Sequence, residues 1–155
     1  MLSAGEIMSR EFITVPPYLG IDELLRIFSE QALGWVPVVN GKGELVGVVS
    51  RRDILYLSLP QTMGLSDYGD IYDLYTSRPF RSRDKLKELS RVSRVEEVMT
   101  TDVVVITEET PVVEICRLMV EHNIHYLPVV KGRLVVGVVS QEEIVRAIVN
   151  YGITF

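Results

Sequence analysis

Seven consecutive residues hold most of the chemistry this chain has to offer: Gly47-Val48-Val49-Ser50-Arg51-Arg52-Asp53. An apolar run ends in a serine that opens a helix, and an aspartate follows three residues later. One reading is structural. In a capping box Ser50 accepts the backbone N–H of Asp53, and Asp53 reaches back to the N–H of Ser50. The other reading uses the same geometry for a ligand. A helix N-terminus offers unpaired N–H groups and the positive end of a dipole, which suit a phosphate. Ser50 adds a hydroxyl, Arg51 and Arg52 add charge, and Asp53 adds a carboxylate able to take two hydrogen bonds from a ribose diol. The residues alone leave both readings open.

Other reactive side chains are few. Ser140-Gln141-Glu142-Glu143 closes a second Gly-Val-Val-Ser run. Glu is the better capping-box residue and adjacent acids repel a phosphate, so a plain cap is expected there. His122 and His125 are three residues apart, but a metal needs a third ligand and Glu121 is the one nearby carboxylate. A solvated helix residue and a loop residue are the simpler assignment, and no metal is expected. Cys116 lies on an apolar helical stripe and reads as a small core residue. Nucleophile elbows, P-loops, Gly-rich dinucleotide turns and HExxH pairs are absent. The expectation is therefore a protein that is not an enzyme and requires no cofactor.

The elements that must position these residues occur twice. Val36-Pro37-Val38-Val39 returns as Leu127-Pro128-Val129-Val130, and Val46-Gly47-Val48-Val49-Ser50 returns as Val136–Ser140. With one residue dropped, 6–54 aligns with 97–144, and fifteen positions are identical. Phe12–Val15 and Val103–Ile106 read as strands. Ile21, Leu24, Leu25, Ile27 and Phe28 form one helical stripe, as do Val112, Ile115, Cys116, Leu118 and Met119. Thr110-Pro111 suits an N-cap followed by proline at the first helical position. Two strands then flank Asn40-Gly41-Lys42-Gly43 or Lys131-Gly132, where glycine is expected to supply a positive φ. A second helix starts at Ser50 or Ser140. Each β-α-β-β-α unit is too small to be stable alone, so the two are expected to pack sheet to sheet as one pseudo-symmetric α/β (α+β) body.

The boundaries read as repeat 1 over 1–57, a connecting insertion over 58–95 and repeat 2 over 96–155. The insertion carries Asp67, Asp70 and Asp73, then a basic stretch from Arg78 to Arg94, with a helix expected over Lys85–Val95. That stretch gives an alternative function: a protein- or nucleic-acid-interaction surface over 78–94. Aromatic interleaving is thin there, with Phe80 alone, and a solvated helix face explains the charges more simply. The chain has 155 residues, 47% hydrophobic and 24% charged, with a net charge of −5. This composition excludes a disordered chain, and the negative balance argues against wholesale nucleic-acid binding. The longest stretch without charge is interrupted by Pro60 and Gly64, too short for a membrane span. Without a targeting signal, a cytoplasmic protein is expected. Apolar residues on more than one side of the second helices, Ile54, Leu55 and Leu57, then Ile144, Val145, Ala147 and Ile148, point to a homodimer.

These paired motifs resemble a tandem pair of cystathionine-β-synthase (CBS) domains over residues 6–57 and 96–149. The resemblance implies a stand-alone regulatory module whose clefts bind adenosine ligands (AMP, ADP, ATP or S-adenosylmethionine) and control an unknown partner protein. Carried over, Asp53 would hold the ribose and Ser50 and Arg52 the phosphate, while Val48 would line the pocket. Thr100, Val105, Ile124 and His125 of repeat 2 would complete the cleft, with Val105 and Ile124 near the adenine. The weaker mirror cleft would use Ser9, Thr14, Leu33 and Gly34 with Val138, Ser140 and Glu143. Glu143 departs from the aspartate usual in ligand-binding copies. Trp35 and Tyr126 stand where smaller or basic residues are frequent; they either stack on a base or plug the module, and the plug is preferred.

Overall fold

A computed structural model describes residues 1–57 and 93–152 of the chain. Repeat 1 contains α1 (Ala4–Ile7), α2 (Ile21–Glu30), β1 (Trp35–Val39), β2 (Leu45–Ser50) and α3 (Arg51–Leu57). Repeat 2 contains α4 (Val95–Val98), α5 (Val112–His122), β3 (Tyr126–Lys131), β4 (Leu134–Ser140) and α6 (Gln141–Tyr151). Two small antiparallel sheets, β1–β2 and β3–β4, form the centre of an α/β body built from the two like halves. The basic stretch and most of the helix expected over Lys85–Val95 lie outside the described residues. At the described end Arg94 is extended, with φ −106° and ψ 158°, and the short α4 starts afresh after it.

The strands expected at Phe12–Val15 and Val103–Ile106 are reduced to single parallel bridges, Val15 to Val38 and Ile106 to Val129. Proline is the reason. The Val15 N–H donates to the Pro37 carbonyl (3.1 Å), and the Ile106 N–H to the Pro128 carbonyl (3.1 Å). The next rung back would need an N–H from Pro37 or Pro128, and neither has one.

On its other edge each proline strand pairs well. Trp35 lies opposite Ser50 and Tyr126 opposite Ser140, which fixes each aromatic beside the strand-to-helix turn of its own repeat. Left-handed glycines close the hairpins, Gly43 at φ 79° and Gly132 at φ 64°. In the first hairpin the left-handed residue is Gly43 and not Gly41, because Asn40 Oδ1 accepts the N–H groups of both Lys42 and Glu44 (3.0 Å each) and widens the turn.

The helical stripes face inward as read. α2 buries Ile21, Leu24 and Phe28, and α5 buries Val112, Ile115 and Met119. Thr110 is not the cap of α5. Pro111 holds that place in an extended conformation, while the Thr110 hydroxyl accepts the Thr107 N–H (3.0 Å) and closes the preceding turn. Both helices end alike. Ala32 and Asn123 are left-handed at φ 51°, the Leu33 N–H donates to the Phe28 carbonyl (3.0 Å), and the Ile124 N–H to the Met119 carbonyl (3.0 Å). This is the Schellman closure, and Leu33 and Ile124 turn inward as its apolar residues.

The two halves exchange their leading segments. Ala4 and Met8 sit in the core built by Ile106, Ile115, Leu127 and Val139 of repeat 2. Val95, Val98 and Met99 complete the core of Ile21, Leu24, Val36 and Val49 in repeat 1. Backbone bonds secure the exchange: Ser9 pairs with Val138 (2.9 and 3.0 Å) and Thr100 with Val48 (2.9 and 2.8 Å). Gly47 and Gly137 permit the approach. A Cβ on Gly47 would stand 2.7 Å from Met99 Sδ and 2.9 Å from the Thr100 carbonyl oxygen, and one on Gly137 would stand 2.5 Å from Met8 Sδ. The repeated Gly-Val-Val-Ser motif thus owes its glycine to the crossing segment of the other half.

Two stability outcomes follow from this packing. Gly47→Ala must push backbone away, so thermal unfolding should show a loss of about 1–3 kcal/mol. Ala32→Asn places a residue that tolerates the left-handed region where alanine does not, and should raise stability by roughly 0.5–1 kcal/mol. A neutral Gly47→Ala, or a destabilising Ala32→Asn, would contradict these assignments.

Candidate functional site

The crossing puts Thr100 of repeat 2 beside the strand-to-helix turn of repeat 1. Asp53 sits at the junction. Its Oδ2 accepts the Ser50 N–H (2.8 Å) and the Ser50 hydroxyl (3.1 Å), while its Oδ1 accepts the Thr100 hydroxyl (3.3 Å). Half of the capping box is therefore present: the acid reaches back to the backbone, and Ser50 Oγ donates to that acid.

A cleft of about 630 Å³ opens over this turn. Val48, Ser50, Arg51, Arg52 and Asp53 line one side, with Thr100, Ile124 and His125 on the other. Eight of the nine residues expected here are thus brought together. Val105 is not among the lining residues. Ile106 is buried on its parallel bridge, and its neighbour is turned outward, 43% exposed; Val103 and Val104 contribute to the wall instead.

The arginines lie on opposite supports. The Arg51 N–H donates to the Gly34 carbonyl (3.0 Å), and its guanidinium lies across Gly34, so that a Cβ there would be 3.0 Å from both Nε and Cζ. Arg52 packs over the ring of Tyr56, 5.7 Å from its centroid, and donates Nε–H to the Tyr56 hydroxyl (3.3 Å). Trp35 and Tyr126 also reach the cleft, where their rings stack on each other, 5.3 Å between centroids and 5° from parallel. They form a seam between the halves.

Several lining residues escape a reading of sequence: Tyr56, Asp102, His122 and Asn123. Tyr56 has a signal, its position one helical turn after Arg52. His122 and Asn123 come in with the Schellman turn that positions Ile124 and His125.

The residues of the expected mirror cleft are distributed differently. Ser9 pairs with Val138, and its hydroxyl donates to the Glu11 carbonyl (2.9 Å). Glu143 accepts the Ser140 N–H (2.6 Å) and hydroxyl, while Ser140 Oγ accepts the Glu142 N–H (3.2 Å). That is a complete capping box. Leu33 packs on the repeat 1 core, Thr14 is half-buried beside Val15, and Gly34 lines the Ser50 cleft under Arg51.

Two like halves with crossed leading segments and a shared cleft over a Ser-x-x-Asp turn define a tandem-repeat domain architecture. The CBS domain family model matches residues 4–59 and 95–150, and the chain belongs to the CBS domain family. It is 27% identical to an uncharacterized protein of Methanocaldococcus jannaschii, over 94% of each chain. The fold superposes on CBSX2 of Arabidopsis thaliana in complex with AMP, with a TM-score of 0.74 and 22% identity over 99% of this chain and 100% of that one. It likewise superposes on the CBS domain pair of protein MJ0100 in complex with 5′-methylthioadenosine and S-adenosyl-L-methionine, with a TM-score of 0.68 and 25% identity over 97% and 98% of the two chains. Among curated relatives, the chain spans 94% of the length of one and 24% of another, a homoserine O-acetyltransferase of Methanococcoides burtonii. No helix among the described residues is long and apolar enough to cross a membrane.

Cys116 packs half-buried against the repeat 2 core, and burial raises its thiol pKa. Less thiolate is therefore present at neutral pH than for a free cysteine. Its reaction with a disulfide reagent should be slow in the native protein and accelerate on denaturation. Equal rates in the two states would remove it from the core.

Proposed function

We propose that the chain is a non-catalytic regulatory module whose Ser50 cleft binds an adenine nucleotide, AMP, ADP or ATP, and thereby controls a partner protein. The observation that carries this reading is the Asp53 carboxylate held between Ser50 of one repeat and Thr100 of the other. An ionised carboxylate has about four acceptor sites. Described residues use three of them, and the Thr100 bond is the longest at 3.3 Å. A ribose diol would take the remaining site and compete for that one. Arg51 and Arg52 would meet the phosphate, while Val48, Val104 and Ile124 offer apolar wall to the base. The adenosine ligands held by the plant pair and by the MJ0100 pair support the ligand class. Exposed Val145 (58%), Val149 (76%) and Tyr151 (59%) on α6 support a homodimer, which light scattering would test against a monomer mass.

The complete cap at Ser140 and Glu143 makes the two turns unequal, so titration calorimetry with AMP, ADP, ATP and S-adenosylmethionine should give about one nucleotide per chain. Asp53→Ala should weaken nucleotide binding by at least about tenfold, the loss of charged hydrogen bonds. Melting of the ligand-free variant controls for the lost contact to Ser50. Two equivalent sites, or unchanged affinity in Asp53→Ala, would refute the assignment.

A further inference from the structure

The supports beneath the two arginines bear on what the cleft selects. Arg51 is laid across Gly34 and bonded to it through the backbone, and Arg52 is laid on the face of Tyr56 and bonded to its hydroxyl. One support comes from the segment before β1, the other from the second turn of α3. The two guanidinium groups are thus braced on different elements of the same cleft wall.

Gly34 matters here for its surface and not for its backbone. It is not among the left-handed glycines, so alanine fits its conformation, but a methyl group would occupy the place of the Arg51 guanidinium. An aromatic face holds a guanidinium by its quadrupole, and the phenol oxygen orients Nε. A planar donor fork braced in this way loses less freedom when it meets an oxyanion. Asp53 is engaged by Ser50 and Thr100, which leaves Asp102 as the other carboxylate among the described lining residues. His122 and His125 add further donors. The corresponding turn of repeat 2 carries Gln141 and Glu142 instead of two arginines.

The geometry points to Gly34 and Tyr56 as positioning residues that set Arg51 and Arg52 as a clamp, which makes the preferred ligand a phosphate-bearing adenosine and discriminates against the neutral thioether and the sulfonium cation of the same nucleoside. This rests on the adenosine reading above and narrows it. AMP and 5′-methylthioadenosine share base and ribose and differ at the 5′ position, where one carries a dianion and the other a methylthio group. The clamp acts on that difference alone.

The test is calorimetry of the full chain with AMP, 5′-methylthioadenosine and S-adenosylmethionine, at low and high salt. The expected result is AMP tighter than either sulfur ligand by at least about tenfold, with the gap narrowing as salt screens it. Gly34→Ala and Tyr56→Leu should each weaken AMP about two- to fivefold and leave 5′-methylthioadenosine unchanged, with Tyr56→Phe intermediate. The melting temperature without ligand should not move. Sulfur ligands binding as tightly as AMP would overturn the clamp while leaving the adenosine site standing. So would variants that weaken all three ligands alike, since they would then act on the fold. Failure of all three to bind the wild-type chain would overturn the adenosine reading and the clamp with it.

Discussion

Everything in the structure depends on a close backbone approach at two glycines. Thr100 crosses Gly47 to pair with Val48, and Ser9 crosses Gly137 to pair with Val138. Each sheet gains an edge partner from the other half, and each core gains the helix that precedes it, α4 in one case and α1 in the other. Neither half has a complete core of its own. The exchange converts two units too small for independent stability into one cooperative body, because apolar area is buried across the halves and not only within them. It also creates the site. Without the crossing, Thr100 would not meet Asp53, and the cleft would have one wall.

The two strand-to-helix turns show how one methylene changes what such a turn is for. At Ser140 the longer Glu143 reaches the N–H and hydroxyl of its own serine, and the serine accepts in return from Glu142. The box is closed and self-satisfied, and Ser140 is buried. At Ser50 the shorter Asp53 also meets its serine, but its second oxygen turns to the crossing Thr100. The same local device is therefore a finished cap in one half and a junction between halves in the other. The bonds that cap the turn also hold the Asp53 carboxylate at the edge of the cleft, so on the proposed reading the cap and the ligand contact share one geometry.

The repeat and its helical stripes were legible because they are periodic and occur twice, so each copy corroborates the other. Eight of the nine residues expected for the Ser50 cleft line it: Val48 and Ser50–Asp53 belong to the strand-to-helix turn itself, whereas Thr100, Ile124 and His125 of the other half were expected only from the family resemblance. The failures have physical causes that span the chain. Pro37 and Pro128 remove the N–H groups that strands at Phe12 and Val103 would have needed, an effect visible only once the parallel neighbours are known. Val105 misses the cleft because burial of Ile106 decides which way it turns. Which of Gly41 and Gly43 is left-handed is settled by the Asn40 side chain. The exchange leaves no trace in the sequence: a short helix such as Ala4–Ile7 carries no mark of which core it will enter.

The aromatic seam bears on how occupancy of one cleft would be felt elsewhere. Trp35 is paired with Ser50 and Tyr126 with Ser140, and the two rings stack face to face across the boundary of the halves. Such a stack contributes about 0.5–1.5 kcal/mol beyond the area it buries. It is the side-chain counterpart of the backbone crossings, and it ties the open turn to the capped one. A ligand touching Asp53 and Arg51 on one side and His125 on the other engages both halves. It shifts their relative placement only by as much as it binds one arrangement better than another. Since Trp35 stands opposite Ser50 and Tyr126 opposite Ser140, any such shift would act on the ring stack that joins the open turn to the capped one.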